Sequence, residues 1–210
     1  MIYKINLIDE NGISLLEKNF KDLNNVKEDI ITNFFNGINQ ILNDIQKAKT
    51  EGRNLNEKIK VLESNEYSIV IFYHWQSKLL FCSISDIDDD IERIKRTVIK
   101  IGWRFFKKHQ SDIETFRTTT EKNRFQTFYV DIENFTLGGR IAEVYPKLLI
   151  IRSIIEKIFS TGLITEFDLQ VALSCDGKKS PLKIARFYNK SSTEINSVLN
   201  KLEQLDIIKF

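Results

Sequence analysis

The chain is poor in the residues that carry most covalent and metal chemistry. Its 210 residues include only two Cys (Cys82, Cys175) and two His (His74, His109). All four lie far apart. That spacing excludes a disulfide scaffold, offers no zinc-ligand pattern, and leaves no Ser/His/Asp or Cys/His triad to assemble. With 2 Pro and 8 Gly, collagen-like and Pro/Gly-rich low-complexity chains are excluded as well. No window of ~18 apolar residues occurs, so no transmembrane helix is expected. The opening MIYKINLI lacks the basic region, long apolar region and small-residue cleavage site of a signal peptide. A cytoplasmic protein with reduced thiols is therefore expected.

Charge of one sign is also missing. Lys and Arg total 31 against 29 Asp and Glu, a net charge of +2. Residues 1–120 hold 18 basic and 18 acidic side chains, residues 121–164 hold 6 and 5, and residues 165–210 hold 7 and 6. No segment is basic enough to bind nucleic acid by net charge alone. What is present is ordinary globular composition, 42% hydrophobic and 29% charged, enough for one large domain or two small ones. Ile (31), Lys (22) and Asn (17) are in excess. An AT-rich coding sequence accounts for that, so their counts carry no functional weight.

The runs 2–8 (IYKINLI) and 13–20 (ISLLEKNF) flank Asp9-Glu10-Asn11-Gly12 and predict a β-hairpin. A helix is expected over 26–46, capped by Asn25 with Glu28. Its stripe is Val26, Ile30, Phe34, Ile38, Ile41 and Ile45, widened by Ile31, Phe35 and Leu42. Gly37 in its middle points to close packing. A polar loop (47–57) leads to strands over 58–64, 67–74 and 78–84, with turns at Asn65-Glu66 and Gln76-Ser77. The nearly all-apolar middle strand suits burial on both faces. Ser85 with Asp88 is expected to cap a second long helix running to about Phe116, with the acidic run 86–90 at its N-terminus. Residues 125–135 (FQTFYVDIENF) read as a strand or extended segment, Gly138-Gly139 as a break, and 141–145 and 146–159 as helix. Over 164–210, Thr165/Asp168, Ser180-Pro181 and Ser191/Glu194 open three helices before a terminal strand, DIIKF.

The order hairpin, helix, three-stranded meander, long helix resembles a longin domain over residues 1–116. The opening MIYKINLIDENGISLLEKNF is its most typical stretch. A roadblock fold shares the layout but usually begins with a helix, whereas here a strand starts at Ile2. Residues 164–210 (LQVALSCDGKKSPLKIARFYNKSSTEINSVLNKLEQLDIIKF with its lead-in) resemble a winged helix-turn-helix, with Ile184, Ala185, Ile195, Val198, Leu199, Leu202 and Leu205 at core positions. The expected fold is thus α/β (α+β): a five-stranded antiparallel sheet with flanking helices (1–116), a connector with a helix (117–163), and a small winged helix (164–210). The longin resemblance implies a non-enzymatic scaffold that binds other proteins, often small GTPases or membrane-trafficking components.

One surface stands out on the second long helix. At 100° per residue, Arg93, Arg96, Lys100, Arg104 and Lys107 fall within about 80° of one another, with Trp103 at the edge. Asp89 and Glu92 sit at i,i+4 spacing to Arg93 and Arg96, while Lys100, Arg104 and Lys107 have no such partner. The stripe suits an acidic protein surface or peripheral contact with an anionic membrane; its plainer reading is a solvated face complementing the helix dipole. For DNA, the third helix of the C-terminal module offers Asn196, Asn200 and Lys201, few cations for groove reading. The acidic run 86–90 lacks calcium-loop spacing. Both His are expected to be structural, and no Lys-Ser/Thr phosphate loop follows Gly138-Gly139. No catalytic residue, metal ligand or cofactor is assigned. The chain is expected to act by binding a protein partner and to form possible homodimers, with a DNA-binding regulator as the alternative.

Overall fold

A side chain makes the first turn. β1 (Ile2–Asp9) and β2 (Ser14–Asn19) pair antiparallel, and Asp9 Oδ1 accepts from Asn11 N at 2.9 Å and Ile13 N at 2.6 Å. Only Gly12 in this turn has a left-handed backbone, φ +83°. The expected Asn-Gly pair is therefore an Asx turn closed by Gly12 alone, with a bulge between Leu7 and Ile8. This architecture is seen in a computed structural model that describes residues 1–21, 28–52, 57–64 and 66–210. The chain divides into two units, Met1–Ala142 and Glu143–Phe210, and is of α+β class.

In the first unit, α1 (Glu28–Thr50) leads to β3 (Lys58–Glu63), β4 (Tyr67–His74) and β5 (Leu79–Asp86). The five strands form one antiparallel sheet in the order β2-β1-β5-β4-β3. The expected cap at Asn25, the start at Val26, the side chains of Glu28, Ile30 and Ile31, and the turn residue Asn65 lie outside the described residues. Period-2 alternation divides the sheet into two faces. Tyr67, Ile69, Ile71 and Tyr73 of β4 pack with Phe34, Ile38, Ile41 and Ile45 of α1. A Cβ on Gly37 would lie 2.5 Å from Leu62 Cδ1 and 2.8 Å from Ile71 Cδ1, so the helix does approach the sheet closely there. Phe35, expected to widen the buried stripe, is instead 56% exposed. The buried arc of α1, centred on Phe34, Ile38, Ile41 and Ile45, is narrower than its apolar face.

Val70, Phe72 and Phe81 face the other side, against α2 (Ile91–Thr119). This helix begins later than expected. β5 extends to Asp86, and the cap is Asp90, whose Oδ1 accepts from Arg93 N at 2.9 Å, not Ser85 with Asp88. Ser85 is held inside the sheet, paired with Ser68 of β4. The helix runs past Phe116 to a left-handed cap at Thr120. Gly102 admits the Phe72 ring, since a Cβ there would lie 2.8 Å from it.

Residues 117–142 are not a connector. A 3-10 helix (Asn123–Phe128) and α3 (Tyr129–Thr136) replace the expected strand, and Phe125, Phe128 and Ile132 are fully buried in the α2-side core. Gly138 and Gly139 both have positive φ. The carbonyl of Gly139 accepts from Ile2 N at 2.7 Å, and a Cβ on Gly139 would lie 2.8 Å from the Ile2 carbonyl oxygen. A side chain at Gly139 would thus meet both strain and backbone.

Residues 141–151, which lead from the first unit into the second, are not helical apart from a turn at 141–142. β6 (Lys147–Leu148) pairs with β7 (Ile208–Lys209), and α4 (Arg152–Ser160) starts only afterwards. Leu148 N donates to Cys175 O at 2.8 Å and Leu149 N to Ile207 O at 2.9 Å. Pairing with chain far downstream therefore overrides the local helical reading. Then follow α5 (Glu166–Ser174), α6 (Pro181–Tyr188) and α7 (Ser192–Gln204), capped as expected by Thr165/Asp168, Ser180-Pro181 and Ser191/Glu194. Their core is Ile184, Ala185, Ile195, Leu199 and Leu202 with Ile155, Val171 and Ile208; Val198 and Leu205 pack at its margin.

Asp168 ties this core together. Its carboxylate accepts from Thr165 N at 2.8 Å and from Lys201 Nζ at 2.6 Å while the residue is buried. Burial pushes its pKa up, but the hydrogen bonds from Lys201 and Thr165 prevail and hold it below the ordinary value. Asp168→Ala should destabilise the unit by about 1–2 kcal/mol, because it removes the reciprocal capping-box bond to Thr165 N and the partner of Lys201 while the Thr165 N-cap remains. Urea melts followed by far-ultraviolet circular dichroism would check this, and an unchanged midpoint would refute it.

Candidate docking face on the long helix

The sheet-facing side of α2 is fixed by Ile94, Val98, Ile101 and Phe105, all buried. The opposite side must therefore be outward, and Arg93, Arg96, Lys100, Trp103, Arg104 and Lys107 are all exposed. The stripe read from the helical repeat exists as a surface, but its partners differ from those expected. Asp89 holds the amino group of Met1. Arg93 lies near Asp90 (3.7 Å) and donates from Nη1 to the Ile141 carbonyl at 3.2 Å. Glu92 pairs with Lys95 at 2.6 Å, not with Arg96.

Arg104 was expected to be unpaired and is not. Its Nε donates to Asp131 Oδ1 at 3.1 Å, and Lys108 Nζ donates to Asp131 Oδ2 at 2.7 Å. Burial raises the pKa of Asp131, yet the hydrogen bonds from Lys108 and Arg104 outweigh it and keep the carboxyl below its usual range. Asp131 on α3 is the site residue that sequence reasoning missed, because its segment was read as extended. Among the described residues, Arg96, Lys100 and Lys107 remain without an ion-pair partner.

Trp103 is 42% exposed and rests on a firm base. Its ring meets the His74 imidazole edge-to-face at 4.5 Å. His74 is wholly buried against Phe72, Phe81 and Phe106. Its Nδ1 lies 2.9 Å from Ser77 Oγ and accepts from Ser77 N at 3.2 Å, while Nε2 has no hydrogen-bond partner. Burial lowers its pKa from 6.5 to about 4, so it is neutral at ordinary pH. The indole is thus a pre-positioned apolar anchor among cations.

The remaining candidates have structural work. Asp86 accepts from Tyr3 OH at 3.0 Å and from Asp88 N at 3.3 Å, so the acidic run stabilises the β5–α2 junction. No group of three or more His, Cys, Asp and Glu able to hold a metal occurs among the described residues. His109 sits at a kink of α2 with Nδ1 2.9 Å from Asp112 Oδ2. Both thiols are buried, and burial pushes Cys82 up strongly and Cys175 up to about 12, which disfavours the thiolate nucleophile. On α7, Lys201 is committed to Asp168, Asn196 is half-buried and Asn200 is exposed. The three do not form a free polar reading face.

Among the described residues, no helix is long and apolar enough to cross a membrane. The sequence matches no protein-family model and no curated protein.

Proposed function

We infer that the protein is a non-enzymatic, cytoplasmic interaction scaffold that docks an acidic protein partner on the outer face of α2, a partner of the small-GTPase or membrane-trafficking-complex type. The observation that carries this reading is the combination on α2. Three cations, Arg96, Lys100 and Lys107, are exposed without ion-pair partners among the described residues, beside a half-exposed indole braced from beneath by His74. Unpaired basic side chains are already free to meet carboxylates, and an indole fixed by packing loses little entropy on binding. Both favour a protein surface over a purely electrostatic contact. Three free cations would contribute only about 3 kcal/mol at an anionic membrane, so lipid contact is secondary to this reading.

The likeness to longin domains supports the same reading. The strand order β2-β1-β5-β4-β3, with α1 on one face and α2 on the other, suits that family's layout. In the second unit, three capped helices followed by β7, which pairs back with β6 ahead of them, suit a winged helix. With Lys201 tied to Asp168, that module fits protein contact better than DNA reading.

Lys100→Glu/Lys107→Glu is the test pair, because neither side chain supports the fold. Arg104 is left intact since its reversal would face Asp131. Immobilised wild-type protein should capture its partner from an extract of the native cell, identified by mass spectrometry, and the double variant should capture at least tenfold less. Equal capture would remove the stripe from the reading. Salt-sensitive retardation of random duplex DNA would favour the DNA-binding alternative.

A further inference from the structure

The most exposed large apolar side chain among the described residues is Phe187 on α6, at 74%. It is not loosely held. Its ring meets Tyr188 edge-on, with centroids 5.0 Å apart and planes at 86°. Tyr188 in turn donates its hydroxyl to the Gln170 carbonyl at 2.9 Å, lies 2.8 Å from Ser174 Oγ, and packs edge-on against Phe167 at 5.7 Å. Lys190 Nζ stands over the Phe167 ring at 5.7 Å. The phenyl ring of Phe187 is therefore an apolar projection on an aromatic base anchored to α5.

The charged side chains of α6 itself are of one sign. Lys183 and Arg186 are exposed on α6 and have no ion-pair partner among the described residues. On a helical wheel Lys183, Arg186 and Phe187 fall within about 100° of one another. Neighbouring cations are already spent, Lys179 on Asp176 at 2.8 Å and Lys190 on Glu194 at 3.2 Å. Two free cations sharing one helix face with an exposed aromatic ring, both to one side of it, match a short segment with two carboxylates next to one apolar side chain. The ring supplies desolvated contact and the cations supply orientation. A single-stranded nucleic acid could also stack on an aromatic ring. It would then need a longer row of free cations along its backbone, and this face has two.

We propose that the outer face of α6, through Phe187, Lys183 and Arg186, is a second docking surface that takes an acidic protein segment carrying one apolar anchor. It is independent of the α2 face.

The test uses the full chain and three fluorescent peptide pools of ten residues. The first places one Leu, Ile, Phe or Trp among Asp and Glu, the second replaces the acids by Ser, and the third replaces the apolar residue by Ala. Anisotropy titrations should show the first pool binding at least tenfold tighter than either control. Phe187→Ala and Lys183→Glu/Arg186→Glu should each lose that tenfold, whereas Lys100→Glu/Lys107→Glu should not. Thermal melts check that the α6 variants stay folded, as expected for exposed positions. Equal binding of all three pools, indifference to the α6 variants, or tighter binding of a ten-nucleotide oligo-dT would each overturn the proposal.

Discussion

Phe105→Ala is expected to destabilise the first unit by about 3–5 kcal/mol. The ring is fully buried where three elements meet. Its centroid lies 5.8 Å from Phe81 on the sheet, 5.3 Å from Phe125 in the 3-10 helix, 4.9 Å from Phe128 and 5.0 Å from His109. Truncation removes the transfer free energy of the ring and leaves a cavity that rigid aromatic neighbours cannot close. Both Trp residues of the chain, Trp75 and Trp103, lie in the first unit. Urea melts followed by indole fluorescence therefore report this unit alone. Lys107→Ala, exposed on the same helix, should stay within about 0.5 kcal/mol of wild type. A cost for Phe105→Ala below about 1 kcal/mol would mean that residues 123–136 do not pack on α2 as described.

The second large effect is on acid sensitivity. His74 ionises near 6.5 in an unfolded chain and near 4 when buried in the fold. Between these values the unfolded state binds the proton and the folded state does not, so stability rises with pH across that window. His74 therefore favours folding fully above pH 6.5, and this contribution is lost as pH falls from 6.5 towards 4. The gap corresponds to about 3 kcal/mol. Carboxylates such as Asp131 and Asp168, held below their usual pKa, also lose stabilisation on acidification, at lower pH. Subtraction isolates the imidazole: wild type should lose about 3 kcal/mol relative to His74→Gln between pH 7 and pH 4. Parallel stability curves for the two proteins over that range would show that His74 is not buried neutral beneath Trp103.

These effects also mark what could be read in advance. The basic stripe was legible because α2 is long and strongly periodic, with Ile94, Val98, Ile101 and Phe105 fixing one side and hence the other. Its pairing was not. Asp131 reaches Arg104 and Lys108 from 27 and 23 residues away, and i,i+4 arithmetic cannot see that distance. A signal did exist: Phe125, Phe128, Ile132 and Phe135 follow helical spacing, but short aromatic runs with alternating polar residues fit a strand equally well.

By itself the sequence determined the elements whose signals are local. The Asp9–Gly12 turn, the two-faced meander strands and the caps at Thr165, Ser180 and Ser191 depend on residues within a few positions of one another. Only the tertiary structure decided the unit boundary at Ala142, the pairing of β6 with β7, the burial of residues 123–136 and the ion pairs across α2. Those depend on which distant backbone groups and apolar surfaces meet, and burial and long-range pairing outweigh local propensities of a few tenths of a kcal/mol per residue.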